Sequence, residues 1–387
     1  MNIPGETEFL EKLDLDKVRW YLWHKQGLLS GHLAGYTDVM KRCIALHSTD
    51  YLTPYLSLWA RLVDFDPQVL FDDLNVYNRV VRLRAFRGTV FVVHKDLQPL
   101  VQKSAPVYLR TRIREIAQTG EKLHINIEDL KDQILSSMNG EALTARQINK
   151  SLKTELSSDA MTVVLRFLEF QGLLARGAQS NILDRVVRYK SMLHRIKAAE
   201  SDPLKPEKAF QELLKQYIII FGPVSLEDIC WWFPVNRTVA RKHLDLLSSN
   251  WVHVDRDGKT CFMEKEDWVS FQQFSIPSKQ PQCVFLPYED HFPKGYFHRD
   301  WFMEPQVKAM LFSNKRIDLG QIRPSIWIDG EIAGRWEWEW NNQKTEIRVQ
   351  IVDMLSTVDK IKQSLVEKKK ESLEHFLNDK IVPMIYS

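Results

Sequence analysis

One succession of predicted elements occurs twice in this chain: a helix, a short helix, a longer helix and two strands that form a hairpin. Apolar residues at intervals of three and four indicate the helices, and alternation indicates the strands. The first copy covers Ile125–Met138, Leu143–Ile148, Asp159–Phe170, Leu173–Arg176 and Arg185–Tyr189; the second covers Lys208–Phe221, Ser225–Phe233, Arg237–Ser248, Trp251–Asp255 and Thr260–Glu264. This order is typical of the winged helix-turn-helix, and its repetition supports that interpretation more strongly than either copy alone.

The residues before the repeat begin with helices and end in a predicted hairpin. Thr53-Pro54 places a capping residue and a proline at the start of an amphipathic helix. Two β-rich runs, Arg79–Phe86 and Thr89–Val93, enclose Arg87-Gly88. These runs predict two antiparallel strands joined by a short turn.

The residues after the repeat turn to strands and end in a charged helix. The strands are predicted over Cys283–Pro287, Pro324–Ile328, Gly334–Trp340 and Glu346–Val352, and the helix over Thr357–Leu377. Polar joints divide the 387 residues into four predicted units, 1–118, 119–203, 204–278 and 279–387. We therefore predict an α+β protein, with tandem winged helix-turn-helix units followed by a β-rich, barrel-like domain.

Composition argues against several classes of protein. Glycine is low, at 15 residues of 387, which disfavours glycine-rich phosphate loops. The cysteines Cys43, Cys230, Cys261 and Cys283 form no C-x-x-C pair, so we expect neither disulfides nor a zinc site. His291 and His298 match no known set of metal ligands, and we interpret them as surface or loop histidines. No leader or membrane-crossing run is evident, which predicts a soluble, intracellular protein. No H-E-x-x-H, Walker or G-x-G-x-x-G motif is present, so we expect neither a metal nor a nucleotide cofactor.

Positive charge is concentrated between Arg79 and Glu115. Nine Lys and Arg residues stand there against two acids, a local charge of +7 in a chain whose net charge is +3. Such a cluster suits the phosphates of nucleic acid, which it binds by releasing counterions. The alternative is a solvated basic face without a partner.

The segment Leu46-His47-Ser48-Thr49-Asp50 combines an imidazole, hydroxyls and a carboxylate at the junction of two predicted helices. Its plainest interpretation is a capping cluster, because Ser, Thr and Asp are preferred before a helix. The functional alternative is that His47, Thr49 and Asp50 orient and deprotonate a water, since histidine titrates near neutral pH.

Together these residues resemble the AlkZ-like DNA glycosylases, proteins often described only as containing a winged-helix DNA-binding domain. The resemblance covers nearly the whole chain and rests on the order and spacing of short motifs. These motifs are the stretch Leu46–Arg61, Arg87-Gly88-Thr89, Leu286-Pro287, Asp290, Gly295, Arg299, Pro324, Asp329-Gly330, Gly334 and Trp336.

The resemblance implies three tandem winged-helix units, with Arg79–Val93 as the wing of the first, and a β-rich domain, curved around duplex DNA. The implied activity is hydrolysis of the N-glycosidic bond of N7-alkylated purines, including the unhooking of interstrand crosslinks, without metal or cofactor. The family positions water with Gln-x-Gln or Gln-x-Asp. Here His47-Ser48-Thr49 stands at that position, so neither glutamine is present.

Each candidate residue then has an expected role. We predict that His47 positions or deprotonates the water, that Thr49 holds it, and that Asp50 orients His47 or faces the cationic sugar. The partner is predicted to be double-stranded DNA, bound by a cytoplasmic, nucleoid-associated monomer. The residues predicted to contact DNA are Arg61, Arg79, Arg82, Arg84, Arg87, Thr89, Arg110, Arg112 and Arg114.

Two other functions remain open at this point. A non-catalytic DNA-binding protein, such as a regulator or lesion binder, would use the same units for recognition, and the missing glutamines would fit a branch that has lost catalysis. A protein-interaction module is disfavoured by the basic cluster. DNA binding that weakens steeply with salt would separate the first two functions from the third.

Overall fold

The computed structural model describes residues 10–29, 35–193, 204–277, 280–312 and 321–386. The first part of the chain contains strands β1 to β4 and helices α1 to α6. Their bounds are β1 Glu11–Lys12, α1 Leu15–Lys25, α2 Tyr36–Arg42, β2 Leu46–His47, α3 Thr53–Trp59, α4 Pro67–Asn75, β3 Val80–Arg84, β4 Val90–His94, α5 Gln98–Tyr108 and α6 Arg110–Lys122.

The predicted helix and hairpin of this first part are present, but Thr53 is not the cap: it lies inside α3, and its hydroxyl donates to the Tyr288 carbonyl. Helix α3 begins at Thr53 with Pro54 in its first turn, and β3 pairs antiparallel with β4 across the Arg87-Gly88 turn. Helices α5 and α6 fill a region to which the sequence analysis assigned no element. The division into four units stays a prediction, although its first boundary, after residue 118, falls inside α6.

The second part has the predicted succession of elements, with one short strand added. Thr144 and Gln147 form a reciprocal cap at the start of its short helix, which explains why that helix begins there. Gly172, at a φ of +72°, follows the long helix and ends it. The bounds are α7 Ile127–Ser137, β5 Leu143–Thr144, α8 Ala145–Lys150, α9 Ser158–Phe170, β6 Leu174–Arg176 and β7 Arg188–Ser191.

The third part repeats this order of helix, strand, helix, helix and two strands. The short strand β8 pairs with β10, as β5 pairs with β7 in the second part. A further helix, α13, follows the hairpin. The bounds are α10 Pro206–Phe221, β8 Val224–Ser225, α11 Leu226–Trp232, α12 Arg237–Asp245, β9 Trp251–Arg256, β10 Lys259–Glu264 and α13 Lys265–Gln273.

The fourth part forms a sheet in the order β11-β12-β13-β14, antiparallel throughout. A π-helical turn, Leu377–Ile381, joins its last two helices. The bounds are β11 Cys283–Leu286, α14 His291–Lys294, α15 Pro305–Leu311, β12 Ser325–Ile328, β13 Glu331–Trp340, β14 Ile347–Met354, α16 Lys360–Phe376 and α17 Pro383–Tyr386.

The expectation of a barrel-like domain is wrong for the described part of the chain, where this sheet is open. Side chains take the place of a closing strand at the outer edge of β14. Glu374 Oε1 accepts the N–H of Val349 at 2.7 Å. The Asn378 side chain accepts the N–H of Ile347 at 2.7 Å and donates to the Ile347 carbonyl at 2.9 Å. Because these groups of the edge are satisfied by α16 and the turn after it, the sheet needs no closure there.

Sheets and core join parts of the chain that are distant in sequence. Strand β3 pairs with β6 at Arg82 and Arg176, which makes one six-stranded sheet from the first two parts. Strand β1 lies parallel to β9 of the third part. One buried cluster extends from Leu13 to Met384 and includes the first, third and fourth parts together with Phe170, Ala175, Ile182 and Met192 of the second. Most buried apolar residues of the second part form a cluster of their own. None of the described helices is long and apolar enough to cross a membrane.

Candidate active site

His47 and Thr49 lie on one side of the extended segment that begins as β2. His47 is opposite Phe91 of β4 and packs edge-on against its ring, at 5.2 Å between ring centres. The His47 Nε2 atom is 3.2 Å from the Thr49 hydroxyl oxygen. His47 is 2% exposed whereas Thr49 is exposed, so the pair connects the interior to the surface.

The His47 ring is held neutral by its surroundings. Burial lowers its pKa well below the ordinary value, and the positive charges of Lys294 and Arg87 lower that pKa further. Its Nδ1 atom has no hydrogen-bond partner among the described residues. A neutral imidazole has one nitrogen that accepts a hydrogen bond or a proton, which is what activation of a water requires.

The neighbours of His47 in the sequence point elsewhere, because successive side chains of an extended segment alternate in direction. The Ser48 hydroxyl accepts a hydrogen bond from Arg82 Nε at 3.1 Å. Asp50 Oδ1 accepts the backbone N–H of Leu52 at 2.9 Å, just before α3. The predicted contact between Asp50 and His47 is absent from the described structure. The Asp50 contact closes a local turn before α3 and does not cap the helix, whose N-cap is Leu52 without a side-chain hydrogen bond.

The carboxylate beside His47 belongs to Glu289, which the sequence analysis did not select. Glu289 Oε2 lies 3.7 Å from His47 Nε2 and also forms an ion pair with the Lys294 ammonium. Glu289 Oε1 accepts the backbone N–H of Ile322 at 2.8 Å. Both Glu289 and Lys294 are buried, and burial together with Arg87 and Arg299 lowers the pKa of Lys294.

Trp231 joins this buried pair to the Arg87-Gly88 turn. The indole N–H donates to the Lys294 carbonyl at 3.0 Å, and the Arg87 guanidinium stacks 3.5 Å from the ring centre. Arg299 lies on the same ring at 5.3 Å. Burial and the nearby Arg112 lower the pKa of Arg87 to about 10, so it stays charged at neutral pH. The site therefore carries more positive than negative charge, which favours an anionic ligand.

Two of the arginines predicted to contact DNA are buried. Arg61 forms two hydrogen bonds with the Asp290 carboxylate, at 2.9 and 2.8 Å, and a third with the Gln26 carbonyl. Arg82 is 4% exposed and lies over the Tyr51 ring. Because both guanidinium groups are buried and make their contacts inside the protein, neither is accessible to a DNA phosphate.

The other predicted DNA contacts are at least partly accessible. Thr89 donates to the Phe86 carbonyl inside the turn, and Arg84 pairs with Glu169 at 2.8 Å. Arg79 is about half exposed and lies 3.4 Å from Asp73. The arginines of α6 are exposed: Arg110, Arg112 and Arg114.

The interpretation of His291 as a surface or loop histidine is wrong. It opens α14, is fully buried, and its Nε2 lies 2.9 Å from the Gln26 amide oxygen. The neighbouring Glu289, Lys294 and Arg299 belong to the site. A signal for this region existed, because Asp290, Gly295 and Arg299 were among the motifs of the resemblance, but nothing in the sequence indicated that it meets His47.

Comparisons with known proteins identify the family of this chain. A family model described as DNA glycosylase AlkZ-like matches residues 40–376. The chain belongs to the AlkZ-like DNA glycosylase family. Among solved structures, the Streptomyces sahachiroi DNA glycosylase AlkZ is similar, with a TM-score of 0.74 and 17% identity over 96% of this chain and 98% of that chain. At that identity the likeness shows a shared fold. A search of curated proteins found no match.

The residues of the site lie within the part of the chain that matches the AlkZ-like family. They come from four segments: β2 with its extension, the Arg87-Gly88 turn, the end of α11 and the residues around α14. In the described ranges, no three His, Cys, Asp or Glu side chains lie close enough together to hold a metal ion. The AlkZ-like fold thus brings a neutral imidazole, a hydroxyl, a carboxylate and several cations to one place.

Proposed function

We propose that this AlkZ-like protein hydrolyses the N-glycosidic bond of N7-alkylated purines in duplex DNA, as single adducts or interstrand crosslinks, with a positioned water and no metal ion. The observation that supports this most directly is the contact between His47 Nε2 and the Thr49 hydroxyl at 3.2 Å. It provides a neutral acceptor and an exposed hydroxyl where the family has its Gln-x-Gln motif.

The chemistry of this substrate suits such a site. Alkylation at N7 leaves guanine cationic, so the base departs without protonation and needs no general acid. The protein has to place a water at C1′ and stabilise the positive charge that develops on the sugar. In this proposal Thr49 holds the water by a hydrogen bond and His47 accepts its proton.

The remainder of the fold would bind the DNA duplex. The second and third parts have the element order and the short third strand of winged-helix units, and we propose that the first part completes a tandem of three, within the boundaries expected from the sequence. Exposed cations next to the site, above all Arg112 beside Arg87, would contact phosphates.

A His47→Ala variant tests the assignment. The variant and the wild-type protein are incubated with a duplex that contains one N7-methylguanine, and abasic sites are scored by cleavage in mild alkali. We expect excision to fall by about 100-fold or more, since general-base catalysis contributes roughly that much. Affinity for the same duplex, measured by fluorescence anisotropy, should change less than about threefold.

Thr49→Val is the matched variant at the exposed position, because it removes the hydroxyl and keeps the shape. We expect an intermediate loss of excision.

Normal excision by His47→Ala would show that His47 is not the acceptor. A wild-type protein that binds the duplex, weakens steeply with salt and excises nothing would be the non-catalytic DNA-binding protein considered above.

A further inference from the structure

We propose that Glu289 is a positioning residue for His47, whose carboxylate stabilises the imidazolium that forms when His47 takes a proton from the hydrolytic water, and that Lys294 holds this carboxylate in place. The inference deepens the proposed function and rests on it. Glu289 thereby takes the role beside His47 that we predicted from the sequence for Asp50.

The position of Glu289 is determined by contacts on both carboxylate oxygens. Oε2 lies 3.7 Å from His47 Nε2 and forms an ion pair with Lys294, while Oε1 accepts the N–H of Ile322 at 2.8 Å. The Glu289 backbone adopts a φ of +58° and its N–H donates to the Ile322 carbonyl at 3.0 Å. A left-handed conformation is unfavourable for a residue with a side chain and persists only where surrounding contacts impose it.

The segment that carries Glu289 is anchored to the same helix that follows His47. Thr53 of α3 donates to the Tyr288 carbonyl at 2.8 Å, and Ser57 donates to Asp290 at 2.7 Å. Arg61, just beyond α3, forms two hydrogen bonds with the Asp290 carboxylate. The residues on both sides of Glu289 are thus fixed to the His47 segment, which keeps the carboxylate close to the imidazole.

The cations around His47 make its protonation unfavourable, and a carboxylate beside the ring reduces that cost. The groups that face the ring are Thr49 on its own segment, Phe91 of β4, Arg87 of the turn, and Glu289 and Lys294 beside α14. Two of these are cations, and both disfavour an imidazolium. Glu289 is the anion within 4 Å of the ring in the described structure, and its charge offsets theirs. Unlike the carboxylate of a Ser-His-Asp triad, it lies on the same ring nitrogen, Nε2, that the Thr49 hydroxyl faces, so it acts through its charge.

The reaction step balances without any further reagent. One O–H bond of the water breaks, its proton goes to His47, and the oxygen forms a bond with C1′ of the sugar. The bond from C1′ to N9 of the purine breaks, and its electron pair neutralises the cationic base as it leaves. Glu289 takes part through charge alone and exchanges no proton.

The test uses three variants: Glu289→Gln, Lys294→Met and the double variant with both changes. Glu289→Gln removes the charge at nearly constant shape but leaves the buried Lys294 without its carboxylate, which alone could destabilise the protein. The double variant leaves no unpaired charge at this point. Single-turnover excision of N7-methylguanine, duplex affinity and thermal unfolding are measured for each.

We expect Glu289→Gln and the double variant to excise at least about 10-fold more slowly than the wild type, with duplex affinity unchanged within about threefold. The pH profile adds a readout that a purely structural role would not change. The acid limb of the rate should move to lower pH in Glu289→Gln, because an anion beside His47 is lost, and to higher pH in Lys294→Met, because a cation is lost.

The matched control is Asp267→Asn, which removes the carboxylate from another partly buried pair, Lys25 Nζ to Asp267 Oδ2 at 2.6 Å, outside the site. We expect it to alter stability but not the excision rate. A double variant that excises at the wild-type rate, or acid limbs that do not move in opposite directions, would overturn the role of Glu289 and leave the proposed function intact. A wild-type protein that excises nothing would overturn both.

Discussion

At the scale of single residues, the buried histidines are held in their neutral form by the same physics at different places. Burial and the Arg61 charge lower the pKa of His291 to about 3, although Asp290 acts in the opposite direction. Its contact with the Gln26 amide oxygen is the bond expected of a neutral ring that carries its proton on Nε2. His291 therefore serves the packing of the interior, whereas His47 reaches the surface through Thr49.

The His291 shift predicts a dependence of stability on pH. The pKa of a histidine is about 6.5 in the unfolded chain, whereas the pKa of His291 in the folded protein is about 3. Between these pH values the unfolded chain binds a proton at this position and the folded protein does not. The stability is thus fully present above about pH 6.5 and is lost as the pH falls below it. Between pH 7 and pH 5 we expect the free energy of unfolding to fall by about 2 kcal/mol more for the wild type than for His291→Asn, measured by urea titration. Equal slopes would contradict a buried neutral His291.

At the scale of elements, helix α6 separates arginines that look like one cluster in the sequence. Positions 110 and 114 lie on one helical face, while position 112 is rotated by about 200° from position 110. Arg110 and Arg114 border the groove that also contains Lys242 of α12. Arg112 lies toward the Arg87-Gly88 turn, with its Cγ 4.0 Å from where a side chain on Gly88 would begin.

This geometry predicts that Arg112 contacts the DNA bound at the site. We expect Arg112→Ala to reduce the slope of log affinity against log salt by about 0.9, the contribution of one phosphate contact. The matched change on the other face, Arg110→Ala together with Arg114→Ala, should reduce that slope less. Anisotropy titrations at several salt concentrations measure both, and the reverse ranking would place the DNA on the α12 side of α6.

At the scale of the whole molecule, the first, third and fourth parts of the chain share one core. Buried residues of the first part, such as Leu46, belong to the same cluster as Trp327 of the fourth part. The buried bonds between Arg61 and Asp290 also cross from the first part to the fourth. Most buried apolar residues of the second part form a separate cluster, which contains Ile134 and Leu168, whereas others such as Ala175 belong to the shared core.

The shared core predicts how fragments behave. Residues 1–278 lack the fourth part, so a large apolar surface is exposed, and we expect this fragment to lose cooperative unfolding. Residues 109–203 keep the second cluster together with the whole of α6, which packs against it, and we expect that fragment to unfold cooperatively, although with low stability because of its size. Circular dichroism during thermal unfolding measures both. A cooperative transition of the 1–278 fragment would show that the first three parts fold without the fourth.

Local patterns in the sequence were sufficient to predict the helices and hairpins of the repeat. The reason is that periodicity, caps such as Thr144 and turns such as Asp257-Gly258 act over a few residues. The same local physics explains why Asp50 accepts the N–H of Leu52: a short carboxylate reaches its own backbone more readily than a distant ring.

Which side chains complete the site depends on contacts between segments that are distant in the sequence. Glu289 is separated from His47 by more than 200 residues, and their contact depends on the anchoring of α14 to α3, which no local pattern encodes. Burial was also decided at this level, since Arg61 and Arg112 are the same residue type but one neutralises Asp290 inside the core and the other stands in solvent. The sequence determines which ionisable groups are present. Long-range packing determines how deeply each group is buried and which charges surround it, and these in turn determine its pKa and its role.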